Sequence, residues 1–172
     1  MNALSVLILV LPLPFFFMLH DAEELLFQHR WMLRHGPDLC TRFPRLQPLI
    51  SHLSSLTTPA FAIAVGEELL LLLAVTAYVL SDGWCAFWVW SAVYMAFSVH
   101  LMVHMLQGIA VRGYVPGLAS SLLLLPWAGY GLWSLWLVMS LPAMLLCGVC
   151  GLAAIALNLF LAHRLGTWFC RK

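Results

Sequence analysis

The sequence predicts an all-α polytopic membrane bundle of five spanning helices, a single membrane domain over residues 1–172. Three observations predict it. Hydrophobic residues fill 63% of the positions and charged residues 9%, against about half and about a quarter in soluble domains, so the chain is built for lipid. Its apolar runs are about 20 residues long, the length of a helix that crosses a hydrocarbon core. Strand alternation of the barrel kind is absent, and lipid leaves backbone amides no other partner than a helix provides.

The first helix is expected over about 4–28. Its run LSVLILVLPLPFFFML has no basic residue before it and no small-residue cleavage pattern after it, so it reads as a membrane helix and not as a signal peptide. Pro12 and Pro14 are tolerable there as kink or start positions. The connection over about 29–58 carries Pro37, Pro44 and Pro48 among arginines and histidines; it reads as a cytoplasmic loop with a short interfacial helix over about 48–56. The remaining spans are expected over about 59–80, 84–110, 117–138 and 140–163, with Pro126 and Pro142 tolerated. Cys40, Cys85, Cys147, Cys150 and Cys170 make no disulfide framework, and Cys147-Gly-Val-Cys150 beside Gly151 reads as a small-residue packing face.

Under this division all eight basic residues fall on one side. Arg30, Arg34, Arg42 and Arg45 lie in the first connection, Arg112 in the third, and Arg164, Arg171 and Lys172 at the tail, while the opposite side holds Asp82 and little else. The positive-inside rule then puts the N-terminus outside and the C-terminus in the cytoplasm of a multi-pass cell-membrane protein. The basic loop residues suit anionic membrane lipid. A net charge of +1 argues against a nucleic-acid partner.

Charge is scarce, yet Asp21, Glu23 and Glu24 place three of the chain's seven acids on one helical turn beside His20. At 1.5 Å per residue, His20 to Glu24 lie about 9–15 Å in from Arg30. Glu67 and Glu68 lie about 12–14 Å in from Pro59, and His100 and His104 about 12–18 Å in from Arg112. Three helices thus carry acids and imidazoles to one level. His20 with Glu23 and Glu24, and His100 with His104, each share a helix side. Glu67 and Glu68 diverge by about 100°, so one suits direct ligation and the other a hydrogen bond to an imidazole.

Each charge at mid-membrane costs about 2.5–3.5 kcal/mol, so four glutamates would cost on the order of 10 kcal/mol unless neutralised. Protons would neutralise them, and so would two divalent cations, whose charge balances four carboxylates; one or two ions are therefore the expected cofactor. Carboxylate with imidazole suits Fe, Mn or Zn, in a pattern like the inward glutamates and histidines of di-iron bundles. An inter-helix polar clasp is the plainer alternative. Copper, hinted at by Met95, Met102 and Met105, and haem between His20 and a third-helix histidine are weaker ones. His163 reads as a packed interfacial residue, and His29, His35 and His52 as facing solvent or headgroups.

His20-Asp-Ala-Glu23-Glu24, a later histidine, and Tyr114-Val-Pro116-Gly117 together resemble the HXXEE family of small bacterial and archaeal integral membrane proteins, over most of the chain. The resemblance implies a membrane protein of unassigned, suspected enzymatic activity, and either His100 or His104 fits as its separate histidine. Pro116 suits the first turn of the fourth helix. Tyr114 suits either a headgroup anchor or a proton donor to the acids. The paired glutamates are also similar to those of CAAX-type intramembrane proteases, but Leu72 stands where that family has an arginine. Leu101 likewise excludes an HExxH protease.

The expected function is that of a membrane-embedded metal-dependent enzyme, a hydrolase or oxidoreductase, acting on a lipid or other hydrophobic substrate. His20, Glu23, Glu24, Glu67, Glu68, His100 and His104 are the candidate metal ligands. His20, Glu23, Glu24, Glu67, Glu68 and Tyr114 are the candidate catalytic residues, one glutamate serving as general base. The alternative is a proton- or metal-ion-coupled carrier, for which a midplane cluster is equally natural. The outer halves of the first three helices offer mostly apolar residues, which favours one-sided access and hence an enzyme.

Overall fold

The computed structural model describes residues 6–170. The expected start of the first helix at residues 4 and 5, and Arg171 and Lys172 of the basic tail, lie outside the described residues. Six α-helices make up the described chain: α1 (Pro12–Arg42), α2 (Gln47–Ser55), α3 (Thr58–Leu80), α4 (Ala86–Val111), α5 (Leu118–Trp136) and α6 (Leu141–Cys170). A π-helical turn over Val6–Val10 leads into α1, where Pro12 takes the first position and so loses no hydrogen bond.

Four helices, α3 to α6, are long and apolar enough to cross a membrane, and not the five expected. α1 differs because Asp21, Glu23 and Glu24 interrupt its apolar half and Arg30, Arg34, Asp38 and Arg42 occupy the rest. The exposed surface is rich in Leu, Trp and Phe, including Leu70, Trp84, Leu106, Ile109, Leu123 and Leu145. Such a surface suits lipid and would be a liability in water.

The segment 29–58, expected as a loop with a short helix over about 48–56, is mostly helical; the short helix is there as α2, but the first helix does not end near 28. α1 runs on to Arg42, a 3-10 turn covers Pro44–Leu46, and α2 folds back against α1. Gly36 and Pro37 ought to break the helix, but packing overrides them. Gly36 presses on α2 so closely that a Cβ would meet Ser54 Oγ at 2.8 Å. Met32, Leu39 and Ile50 form a small core between the two helices. Arg42 then donates to the Val111 and Ala110 carbonyls at 3.0 and 2.9 Å, closing this hairpin over the end of α4.

The main core lies toward the opposite end, where Leu13, Leu72, Trp90, Tyr94, Phe97, Leu101, Leu124 and Leu135 pack together. α6 joins through small residues, in keeping with the packing role expected of its Cys147–Gly151 stretch. A Cβ on Gly151 would collide with the Ala92 carbonyl oxygen, and one on Gly166 with that of Ala60, so backbones touch at both places. α4 ends at Arg112, whose φ of 60° turns the chain into the short loop before α5. α5 begins at Leu118 with Gly117 as its cap, so Pro116 precedes the helix instead of opening it.

Candidate metal centre

The 3.6-residue period puts His20 and Glu24 on one side of α1 and His100 and His104 on one side of α4. Their side chains meet in the space between α1, α4 and the start of α5. His20 Nε2 lies 3.0 Å from His100 Nε2, which lies 3.1 Å from His104 Nε2, and Glu24 Oε1 is 3.5 Å from His104 Nε2. The three rings stand edge to face, with centroids 4.6–4.9 Å apart. His20 is fully buried, and His104 nearly so.

Gly117 shapes this cluster from α5. Its φ is +85°, and a Cβ there would meet His104 Nδ1 at 2.8 Å and His20 Cε1 at 3.0 Å. Another residue would be strained by the backbone conformation and would push on both rings. The Tyr114-Val-Pro-Gly turn thus delivers a side-chain-free edge against two imidazoles. Beside them, His104 Nδ1 faces the Pro116 carbonyl without a well-formed hydrogen bond.

Glu23 points elsewhere. It accepts from the Tyr114 hydroxyl (2.7 Å), the Ala119 amide (3.2 Å), and the Ser120 amide (2.7 Å) and hydroxyl (2.5 Å). Two of these donors are amides of the first turn of α5, where a helix welcomes an anion. Tyr114 is therefore a hydrogen-bond donor to the motif's first glutamate. Burial, and then the Glu23 carboxylate beside it, push its phenol above the ordinary range, so it keeps its proton. Ser120 also meets His20, at 3.0 Å from Nδ1.

Of the expected residues, His20, Glu24, His100 and His104 come together with all ligand atoms within 4.8 Å, and these four could hold a metal ion. Both candidate histidines of α4 take part. Glu23 anchors α5, while Glu67 accepts from Asn158 of α6 at 3.1 Å. Glu68 lies close enough to Glu24 and Asp21 to repel both, with one carboxylate oxygen buried and unpartnered. His163 is buried as expected, but it bonds His52 at 3.2 Å, so His52 does not simply face solvent. His29 holds the Leu56 carbonyl and His35 lies on Trp31.

Sequence reading passed over Ser120 and Asn158. Ser120 lies on the first turn after the glycine of the Tyr114 motif, where hydroxyls bond backbone or acids. Asn158 is a lone amide side chain in an apolar helix. Both were signals of inward polar contact.

A cavity of about 540 Å³ opens from the cluster, within the range of small-molecule sites. Glu24, His100 and His104 line one end with Gln28 and Gln107. Its walls are apolar, among them Met32, Phe43, Leu53, Val103 and Phe160, and the α1–α2 hairpin covers it.

The fold and this site define a class: a helical, membrane-type bundle with a buried histidine–glutamate cluster at the head of an apolar cavity. The profile of the HXXEE family, described as protein of unknown function with HXXEE motif, matches residues 11–131, and the chain belongs to that family. No curated protein and no solved structure matches the chain.

Proposed function

We propose that this protein is a membrane-embedded metal-dependent enzyme acting on a lipid or other hydrophobic substrate held in the apolar cavity. The observation that carries this reading is the convergence of three imidazoles and one carboxylate, of which Glu24, His100 and His104 line that cavity. The donor set fits a divalent transition ion. Ligand bonds of about 2.0–2.1 Å in a tetrahedral site imply ligand separations of about 3.3 Å; three of the approaches here are 3.0, 3.1 and 3.5 Å, and all four ligand atoms lie within 4.8 Å of one another, so a small inward shift would close the set on one ion. Imidazole with carboxylate suits Fe, Mn or Zn, and this set of four serves one ion. Bound there, the ion would supply Lewis-acid or oxygen-activating chemistry. Glu68, which has one unpartnered oxygen and lies close enough to Glu24 to repel it, is the proposed general base.

α1 is proposed as a fifth span. Its acids turn inward while Phe15, Leu19, Leu26 and Phe27 face outward, so its charges need not meet lipid. The N-terminus then lies outside and the cavity opens toward the cytoplasmic side. An impermeant maleimide that labels Cys170 from the outer face would reject this orientation.

A carrier is less well supported. Beyond the cluster the core is mostly apolar; Thr76, Ser91 and Ser98 bond back to Leu72, Phe87 and Tyr94 of their own helices, the Tyr94 hydroxyl donates to the Trp127 carbonyl of α5, and Ser121 is a single unpartnered hydroxyl. A polar path to the other face has little to be built from among the described residues.

The test is to incubate the protein in nanodiscs of extracted membrane lipid with Fe²⁺, Mn²⁺ or Zn²⁺ in air, and to follow lipid masses. A metal-dependent product mass that appears with wild type and not with Glu68→Gln supports the proposal. No change in any lipid with any ion would overturn it.

A further inference from the structure

The buried Ser120 hydroxyl sits between two groups that the motif residues supply. It is 2.5 Å from Glu23 Oε2 and 3.0 Å from His20 Nδ1, both of α1. It also lies 3.3 Å from the Gly117 carbonyl, a longer and uncharged alternative. A serine hydroxyl has one proton to give. Two amides and the Tyr114 phenol converge on the Glu23 oxygens, and so many donors favour its carboxylate form, which has no proton to offer in return. The short contact to a carboxylate is therefore where the serine proton goes.

The remaining contact then has one solution. With its proton committed to Glu23, Ser120 Oγ can only accept from His20, so the His20 proton sits on Nδ1. Nε2, the nitrogen facing His100, is left with a bare lone pair. We infer that Ser120 is a positioning residue: it relays the Glu23 carboxylate to His20, fixing the tautomer in which His20 presents Nε2 to a cation. This rests on the proposed metal centre for its purpose, but the tautomer itself does not need an ion.

The chain of contacts also gives the family motif a division of labour. The histidine and second glutamate of His20-Asp-Ala-Glu23-Glu24 face the cluster. The first glutamate works through Ser120 from behind, with Tyr114 and the start of α5 holding it. Outer partners of this kind orient a ligand imidazole and raise its basicity.

Two measurements on the full chain in detergent test this. The first is the ¹⁵N spectrum of histidine-labelled, metal-free protein, with the His20 signals assigned by their loss in His20→Gln. Wild type should show His20 protonated at Nδ1, Ser120→Ala should show loss of that single tautomer, and Ser120→Thr should retain it. The second is Zn²⁺ affinity, expected to fall about 10–100-fold in Ser120→Ala and to stay within a few-fold of wild type in Ser120→Thr. A wild-type His20 protonated at Nε2, or a Ser120→Ala protein with unchanged tautomer and unchanged Zn²⁺ affinity, would overturn the inference. If wild type holds the Nδ1 tautomer yet takes up no metal, the relay stands and the metal reading falls.

Discussion

Gly117 shows how much one residue decides. Its positive φ costs another residue about 1–2 kcal/mol, and a methyl group would press on both His104 and His20. Gly117→Ala should therefore lower thermal stability modestly and displace the two rings. Differential scanning fluorimetry with Zn²⁺ titration should show a stability gained from metal in wild type and much reduced in the variant. Full metal-induced stabilisation of the Gly117→Ala variant would mean the glycine serves the turn alone. The histidines and Glu24 were legible in the sequence because charge is expensive in an apolar helix and their spacings share a face. The separate tasks of Glu23 and Glu24 were not. Adjacent residues differ by about 100° around a helix, and which of them meets α4 and which meets α5 depends on helix placement that no local pattern encodes.

At the scale of elements, the run of α1 past residue 28 and its packing against the expected short helix α2 hold the most that the sequence did not reveal. Gly36, Pro37 and the basic residues around them suggest a loop by local rules. Burial of Met32, Leu39 and Ile50 between the two helices, and the room that Gly36 leaves for Ser54, decide for a hairpin instead. Arg42 fastens that hairpin to the last carbonyls of α4, where a cation also suits the helix dipole. Arg42→Gln should weaken this fastening by about 0.3–1 kcal/mol. Hydrogen exchange should then quicken over residues 47–55, with α3 and α6 unchanged. Equal exchange in wild type and variant would show that the α1–α2 core alone holds the cover over the cavity. The spans α3 to α6, in contrast, were readable to within a few residues at most ends, because uninterrupted apolar length is a local property. α6 departs most, running to Cys170 past Arg164.

For the molecule as a whole, the arrangement separates an apolar, tightly packed half from a half that holds every paired imidazole and carboxylate described above. Composition announced lipid, and the recurring depth of acids and histidines announced one cluster. The cavity was not legible, since its walls come from helices that only the tertiary fold brings face to face. Family membership adds the motif residues and leaves the chemistry to the site. The proposed enzyme turns on whether His20, Glu24, His100 and His104 hold an ion. The most direct measurement is metal content by mass spectrometry on detergent-purified protein, wild type beside a His20→Ala, His100→Ala, His104→Ala variant shown by circular dichroism to remain helical. The account predicts about one equivalent of Fe, Mn or Zn in wild type, retained through gel filtration and lost in the variant. Well-folded wild type that carries no metal, and binds none of the three when they are added, would contradict it and leave the cluster a proton-held clasp between α1 and α4.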